Sequence, residues 1–146
     1  MPARDNIYCA ISPEPLSTDT VQRFVTDESA GAVAVFSGTA RTVSSITPGR
    51  IVLQLEYEAY EEMAMRVLQE IGESVIAAHQ IKKIALVHRT GVVPVGEISL
   101  IAAVSAQHRA PAFEGLRDAV EQIKKKLPVW KKEVYSDGSH WVGAGS

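Results

Sequence analysis

Apolar residues recur along the chain with two alternating periods, and together they predict the element order β-α-β-β-α-β-β-α-β. Ile7 to Ile11 reads as a short strand, broken by Pro13 and Pro15. Ser17 or Thr18 can then cap a helix carrying Val21, Phe24 and Val25. Residues 31–39, small and β-branched, predict a strand buried on both faces. Residues 42–50 are Ser/Thr/Pro/Gly-rich without periodicity, which predicts a mobile surface loop. Ile51, Leu53, Leu55 and Tyr57 then alternate with Val52, Gln54 and Glu56, the period of a half-buried strand.

The second half repeats these signals. Met63, Val67, Ile71, Val75 and Ala78 form a helical stripe with Leu68 beside it. Strands follow over residues 83–88 and 98–104, joined by a Pro/Gly turn between Gly91 and Glu97. That turn is no phosphate loop, because no Lys-Ser/Thr and no helix follow it. Phe113, Leu116, Val120, Ile123 and Leu127 predict a helix opened by Pro111 and stopped by Pro128. A last strand covers residues 130–135, with a turn at Asp137-Gly138. Hairpins mixed among crossovers argue for an α+β domain with a mostly antiparallel or mixed sheet, not a doubly wound parallel one.

Size and composition narrow the function. The 146 residues suit one domain, with residues 1–6 as a loose terminus. A chain of this length buries roughly 70% of its unfolded surface and needs no staple to fold. Cys9 is the only cysteine, which excludes an internal disulfide framework and a multi-cysteine zinc site. A small buried hydrophobe is the better reading of it than a nucleophile, since no cation stands beside it in sequence. No metal-binding spacing occurs among the four histidines, and no cofactor is expected. With no apolar run of membrane length and no secretory signal, the expected compartment is the cytoplasm or another reducing space. The net charge of −2 argues against general nucleic-acid affinity but permits one small anionic ligand.

Against that charge, one stretch stands out. His108, Arg109, Lys124, Lys125, Lys126, Lys131 and Lys132 fall within 25 residues, divided between the two ends of the last helix. His108-Arg109 lies between a buried strand and a helix start, where a guanidinium and free N–H groups suit phosphate. Arg41, ending another strand, could converge on the same place. Lys124 and Lys131 flank the Pro128 turn, and if their amines approach, repulsion favours deprotonation of one of them. A readily deprotonated amine serves as nucleophile or proton-transfer group. The simpler account of any single lysine here is a solvated helix end favoured by the macrodipole. His88, at a strand end, reads as structural or half-exposed, and Trp130 as packed.

At these residues the chain resembles the large, catalytic subunit of molybdopterin synthase. The matching pieces are Phe36-Ser-Gly38-Thr-Ala-Arg41, Leu55-Glu-Tyr57-Glu-Ala-Tyr60 and His88-Arg-Thr-Gly91 with Val93-Pro94-Val-Gly96-Glu97. Ser105-Ala-Gln-His108-Arg109 and Lys124…Pro128-Val-Trp130-Lys131-Lys132-Glu133 with Trp141 complete them. The resemblance implies an α/β-hammerhead fold and a sulfurtransferase of molybdenum cofactor biosynthesis. Such an enzyme converts cyclic pyranopterin monophosphate to molybdopterin, taking sulfur from the C-terminal Gly-Gly thiocarboxylate of a small ubiquitin-like subunit. It further implies a homodimer within a heterotetramer, with an anion site that can draw on both large subunits. By motif, Lys124 and Lys131 take the catalytic lysine positions, and Arg41, His108 and Arg109 the anion-pocket positions. Lys126 and His140 are further candidates. The chain departs from the family pattern at Thr42, where many members carry Asn, and at His140, where some carry Arg. Two rivals of other classes remain: a non-catalytic module for a phosphorylated ligand or RNA, and a structural adaptor for the small subunit.

Overall fold

Among the described residues, two four-stranded sheets combine with three helices. A computed structural model describes residues 5–44 and 46–144, so most of the expected loose terminus lies outside the described residues. The order is β1 (Ile7–Ser12), α1 (Thr18–Val25), β2 (Ala32–Thr39), β3 (Val52–Ala59), α2 (Glu61–His79), β4 (Ile81–Arg89), β5 (Gly91–Pro94), β6 (Ile98–Ala106), α3 (Arg109–Lys126), β7 (Val129–Tyr135) and β8 (His140–Ala144). The first sheet runs β1-β4-β6-β2, with β1 parallel to β4 and the other pairs antiparallel. The second runs β5-β3-β7-β8 and is antiparallel throughout. The α+β class therefore holds, with β5 and β8 added to the expected elements.

The main core lies between the first sheet and helices α2 and α3, filled by Leu68, Ile71, Ile84, Leu86, Leu100 and Ile123. Each such side chain contributes about 1.5–3 kcal/mol by leaving water. A second cluster, with Val21, Val25, Ala85, Val87 and Ile101, sits under α1 on the other face. The helix stripes are shifted from the expected ones. The buried positions of α2 are Ala64, Leu68, Ile71, Gly72 and Val75, while Met63 is exposed. Those of α3 are Ala112, Gly115, Ala119 and Ile123, and Phe113 is 65% exposed. Close packing fixes the phase of α3 at one point: a Cβ at Gly115 would lie 2.7 Å from Ile81 Cδ1, so no larger residue fits there.

Two strand expectations and one loop expectation also need correcting. β2 is an edge strand, and α1 packs on β4 and β6 instead of covering it, which leaves Val33 and Val35 exposed. In β3 the pairing to β7 skips Leu53, because Val52 meets Tyr135 and Gln54 meets Val134. This bulge reverses the phase, so Val52, Leu55 and Tyr57 are buried while Ile51 and Leu53 are exposed. The 42–50 loop is anchored at several points. Val52 N donates to Thr42 O at 2.7 Å, Val43 bridges to Ile51, and Arg50 forms an ion pair with Asp137.

Candidate active site

Strand register builds the floor of the cleft. In the β3–β7 ladder Tyr57 stands opposite Lys131 and Leu55 opposite Glu133, all on the face turned toward the helices. A second bulge completes one wall. β2 pairs Gly38 with Leu100 and Thr39 with Ile98, which skips Ser99 and re-aims its hydroxyl. Ser99 Oγ donates to Gly38 O at 3.3 Å. Arg41 enters from the segment after β2, and Lys124 from the last turn of α3. The result is a cleft of about 330 Å³ lined by Arg41, Tyr57, Ser99, Lys124, Lys131 and Glu133, with Gly38, Thr39 and Leu55.

Three expected cations thus meet. The anticipated repulsion is present: burial, then the charge of Lys131, lowers the Lys124 pKa from its ordinary lysine value. The α3 C-terminus favours the charged ammonium, so these two effects outweigh the helix dipole. Lys124 as a residue is nevertheless solvent-exposed, so the site is reachable as well as perturbed.

Glu133 was not singled out by sequence reasoning, yet it is a buried carboxylate on the cleft wall. Its Oε1 accepts from Ser44 Oγ at 2.6 Å and from Tyr135 OH at 2.8 Å. The tyrosine proton being used there, Thr47 Oγ1 donates to Tyr135 OH at 3.1 Å. Ser44 Oγ in turn accepts from the amides of Ile46 and Thr47 at 3.1 and 2.9 Å. One carboxylate therefore ties the 42–50 loop to the cleft. The available signal was parity, because Glu133 alternates with Val129 and Tyr135 on the inward face of β7.

His88 lies behind this floor, fully buried and in edge contact with Tyr57 at 4.9 Å between centroids. Its Nδ1 donates to Arg89 O at 2.8 Å, which leaves a lone pair on Nε2. Burial, then the nearby charge of Lys124, overcomes that bond and brings its pKa down to about 4, so the ring is neutral. Cys9 is inert for a related reason, since burial pushes its thiol up to about 12.

The remaining expected residues lie elsewhere. His108 caps α3 and Arg109 begins it, so about 15 helical residues, or roughly 22 Å, separate them from Lys124. They stand near the start of β2, where Gly31 N donates to Gln107 O, whereas Arg41 follows its end. The convergence of Arg41 with His108-Arg109 does not occur within one chain. Lys126 is exposed and donates to Gln122 Oε1 at 3.1 Å, outside the cleft lining. His140 pairs with Val134 on the outward face of the second sheet, away from the cleft. Trp130 shares that outward face and is 46% exposed, not packed.

Residues 11–126 match the MoaE protein family. The chain belongs to this family. It is 39% identical over 133 residues to the molybdopterin synthase catalytic subunit of Bacillus subtilis, covering 91% of this chain and 83% of the relative. The crystal structure of molybdopterin synthase from Staphylococcus aureus superposes with a TM-score of 0.85 at 35% identity, over 92% of this chain and 95% of that one. A Helicobacter pylori structure, described as the complex of subunits 1 and 2 of molybdopterin-converting factor, shares the fold with a TM-score of 0.71. Its identity is 18%, over 92% of this chain and 87% of that one. The matched residues include Arg41, Tyr57, Ser99 and Lys124 of the cleft and stop before β7, which carries Lys131 and Glu133.

Proposed function

We propose that this cleft moves sulfur from the C-terminal thiocarboxylate of a small ubiquitin-like subunit onto cyclic pyranopterin monophosphate, giving molybdopterin. As a member of its family the chain is an enzyme of molybdopterin synthesis that works with a second subunit. The observation that carries the finer reading is the meeting of Arg41, Lys124 and Lys131 on one cleft in a chain of net charge −2. Both reactants are anionic, so a local cationic site can draw them together against an otherwise acidic surface. The cleft volume falls at the lower end of what small-molecule sites use, about 300–1,000 Å³.

The residues divide the work by their chemistry. Arg41 offers a fixed fork of donors suited to phosphate oxygens. The thiocarboxylate sulfur bonds to a substrate side-chain carbon as a C–O bond there breaks, the oxygen leaving on the opened phosphate or as water. The carrier then remains attached as a thioester, and water attacks its carbonyl, releasing the carrier as a carboxylate and leaving the sulfur on the pterin. That attack builds negative charge on oxygen, which a positioned ammonium on Lys131 stabilises. Lys124, already inclined to lose its proton, takes or returns one as the thioester opens. His108 and Arg109 enter only if a second copy supplies them. A homodimer is supported by the outward face of the second sheet, where Trp130, Val142 and Val92 are exposed. The same face carries Glu56 and Glu58 beside Lys132, an arrangement that disfavours the RNA reading.

Mixing the protein with thiocarboxylated small subunit and cyclic pyranopterin monophosphate tests the reading. Dithiolene product is expected. Tight carrier binding without product would instead favour the adaptor.

A further inference from the structure

Trp141 and Gly143 stand on the cleft face of β8, directly opposite Glu133 and Lys131 respectively. Gly143 leaves an empty slot on that face, and the indole fills it. A Cβ added to Gly143 would lie 2.0 Å from Trp141 Cη2 and 2.4 Å from Cζ2, distances no real Cβ tolerates. Directly paired antiparallel residues hold their Cβ atoms about 4.5–5.5 Å apart. The far edge of the indole therefore occupies the position next to the Lys131 stem. The ring also packs on the cluster of Leu55, Tyr57 and Tyr135, which holds it there. Lys131 thus has an aromatic wall on its β8 side and Tyr57 on its β3 side. The direction left to its ammonium is the cleft, which Lys124 also lines.

We propose that Trp141 is a positioning residue: seated over Gly143, its indole holds the Lys131 ammonium in the cleft toward Lys124. It touches no reacting atom and acts through Lys131. Without it, the flexible four-carbon stem of Lys131 gains rotamers that swing the charge toward β8 and away from Lys124. The inference deepens the proposed function, because it assumes that the two lysines act together. Among the described residues, the charged or titratable groups that face Lys124 include Arg41 after β2, Tyr57 on β3, His88 on β4, and Lys131 and Glu133 on β7. Among them, Lys131 and Glu133 are the two paired across the ladder with residues 141 and 143.

The test is the Lys124 titration, followed by NMR on protein carrying ¹³C-labelled lysine and assigned with Lys124→Arg. It is read without substrate, so it stands whether or not sulfur transfer is the reaction. In Trp141→Ala and Gly143→Ala the Lys124 midpoint should move up toward that of an ordinary exposed lysine. Gly143→Ala keeps the indole but takes its seat, so it decides the matter if Trp141→Ala does not fold. Trp141→Phe, which still covers part of the slot, should shift the midpoint less. In the reconstituted reaction kcat should fall while KM for the pterin changes little. A Lys124 midpoint unchanged in the folded variants would overturn the proposal. So would a shift that disappears in a Glu133→Gln background, since the effect would then run through the carboxylate.

Discussion

Lys131 stands directly across from Tyr57 in the β3–β7 ladder, with Leu55 and Glu133 as the next pair on the same face. This square of four residues turns a sheet surface into the floor of a cleft, and α3 ends above it so that Lys124 leans in. Pro128 makes the arrangement compact. It ends the helix and starts the strand, so two lysines seven residues apart reach one space from different elements.

Glu133 should matter for loop order as much as for charge. Glu133→Ala leaves the Ser44 and Tyr135 hydroxyls without their acceptor, at a cost of about 1–3 kcal/mol for a buried unpaired group. Hydrogen exchange should show faster exchange at the Ile46 and Thr47 amides, which hang on Ser44 Oγ. Glu133→Gln retains a carbonyl acceptor and should change those amides far less. Equal exchange in all three proteins would contradict the tether.

His88 should make the fold acid-sensitive. Its folded pKa, about 4, is lowered from an ordinary value of 6.5. Between those values the unfolded chain binds the extra proton, so stability is full above pH 6.5 and falls as pH drops toward 4. At 1.36 kcal/mol per unit the loss is roughly 3 kcal/mol. Urea midpoints at pH 7.5 and 5 should differ clearly in the parent protein. They should differ less in His88→Phe, which fills the same space beside Tyr57 without a titrating group.

Lys124 carries the opposite trade. Its folded pKa is lowered, so the unfolded chain binds the proton more readily, and the penalty is fully present below the folded pKa. That penalty is relieved only as pH rises through the folded value to the ordinary lysine range. Lys124→Met keeps the stem and removes the charge, so it should melt at a slightly higher temperature at pH 7 while losing turnover. The solvent exposure of Lys124 keeps the gain small. A lower melting temperature would argue against a strained ammonium.

Periodicity located the three helices and most strands, because period is what the sequence carries directly. It missed their phase wherever packing overrode bulk. Phe113 and Met63 look like core residues by hydropathy but are exposed, and in α3 Gly115 lies so close to Ile81 that a small residue takes the inward position. The bulges at Leu53 and Ser99 depend on partners far along the chain, so no local pattern shows them. β5 and β8 are four and five residues long and carry Pro or Gly, which reads as turn. Arg41, Lys124 and Lys131 were legible because each sits at an element boundary next to a breaker or strand end. Tyr57, Ser99, Glu133 and His88 were not, since their place in the site comes from register.

The measurement that bears most directly on the cleft is sulfur transfer by Lys124→Ala beside Lys125→Ala. These neighbours are both exposed on the last turn of α3, but only Lys124 lines the cleft. Each variant would be mixed with thiocarboxylated small subunit and cyclic pyranopterin monophosphate, and dithiolene product followed over time. The account predicts that Lys125→Ala keeps close to parental rates and that Lys124→Ala loses turnover while still folding and binding the small subunit. Substantial product from Lys124→Ala, or an equal loss in both, would contradict it.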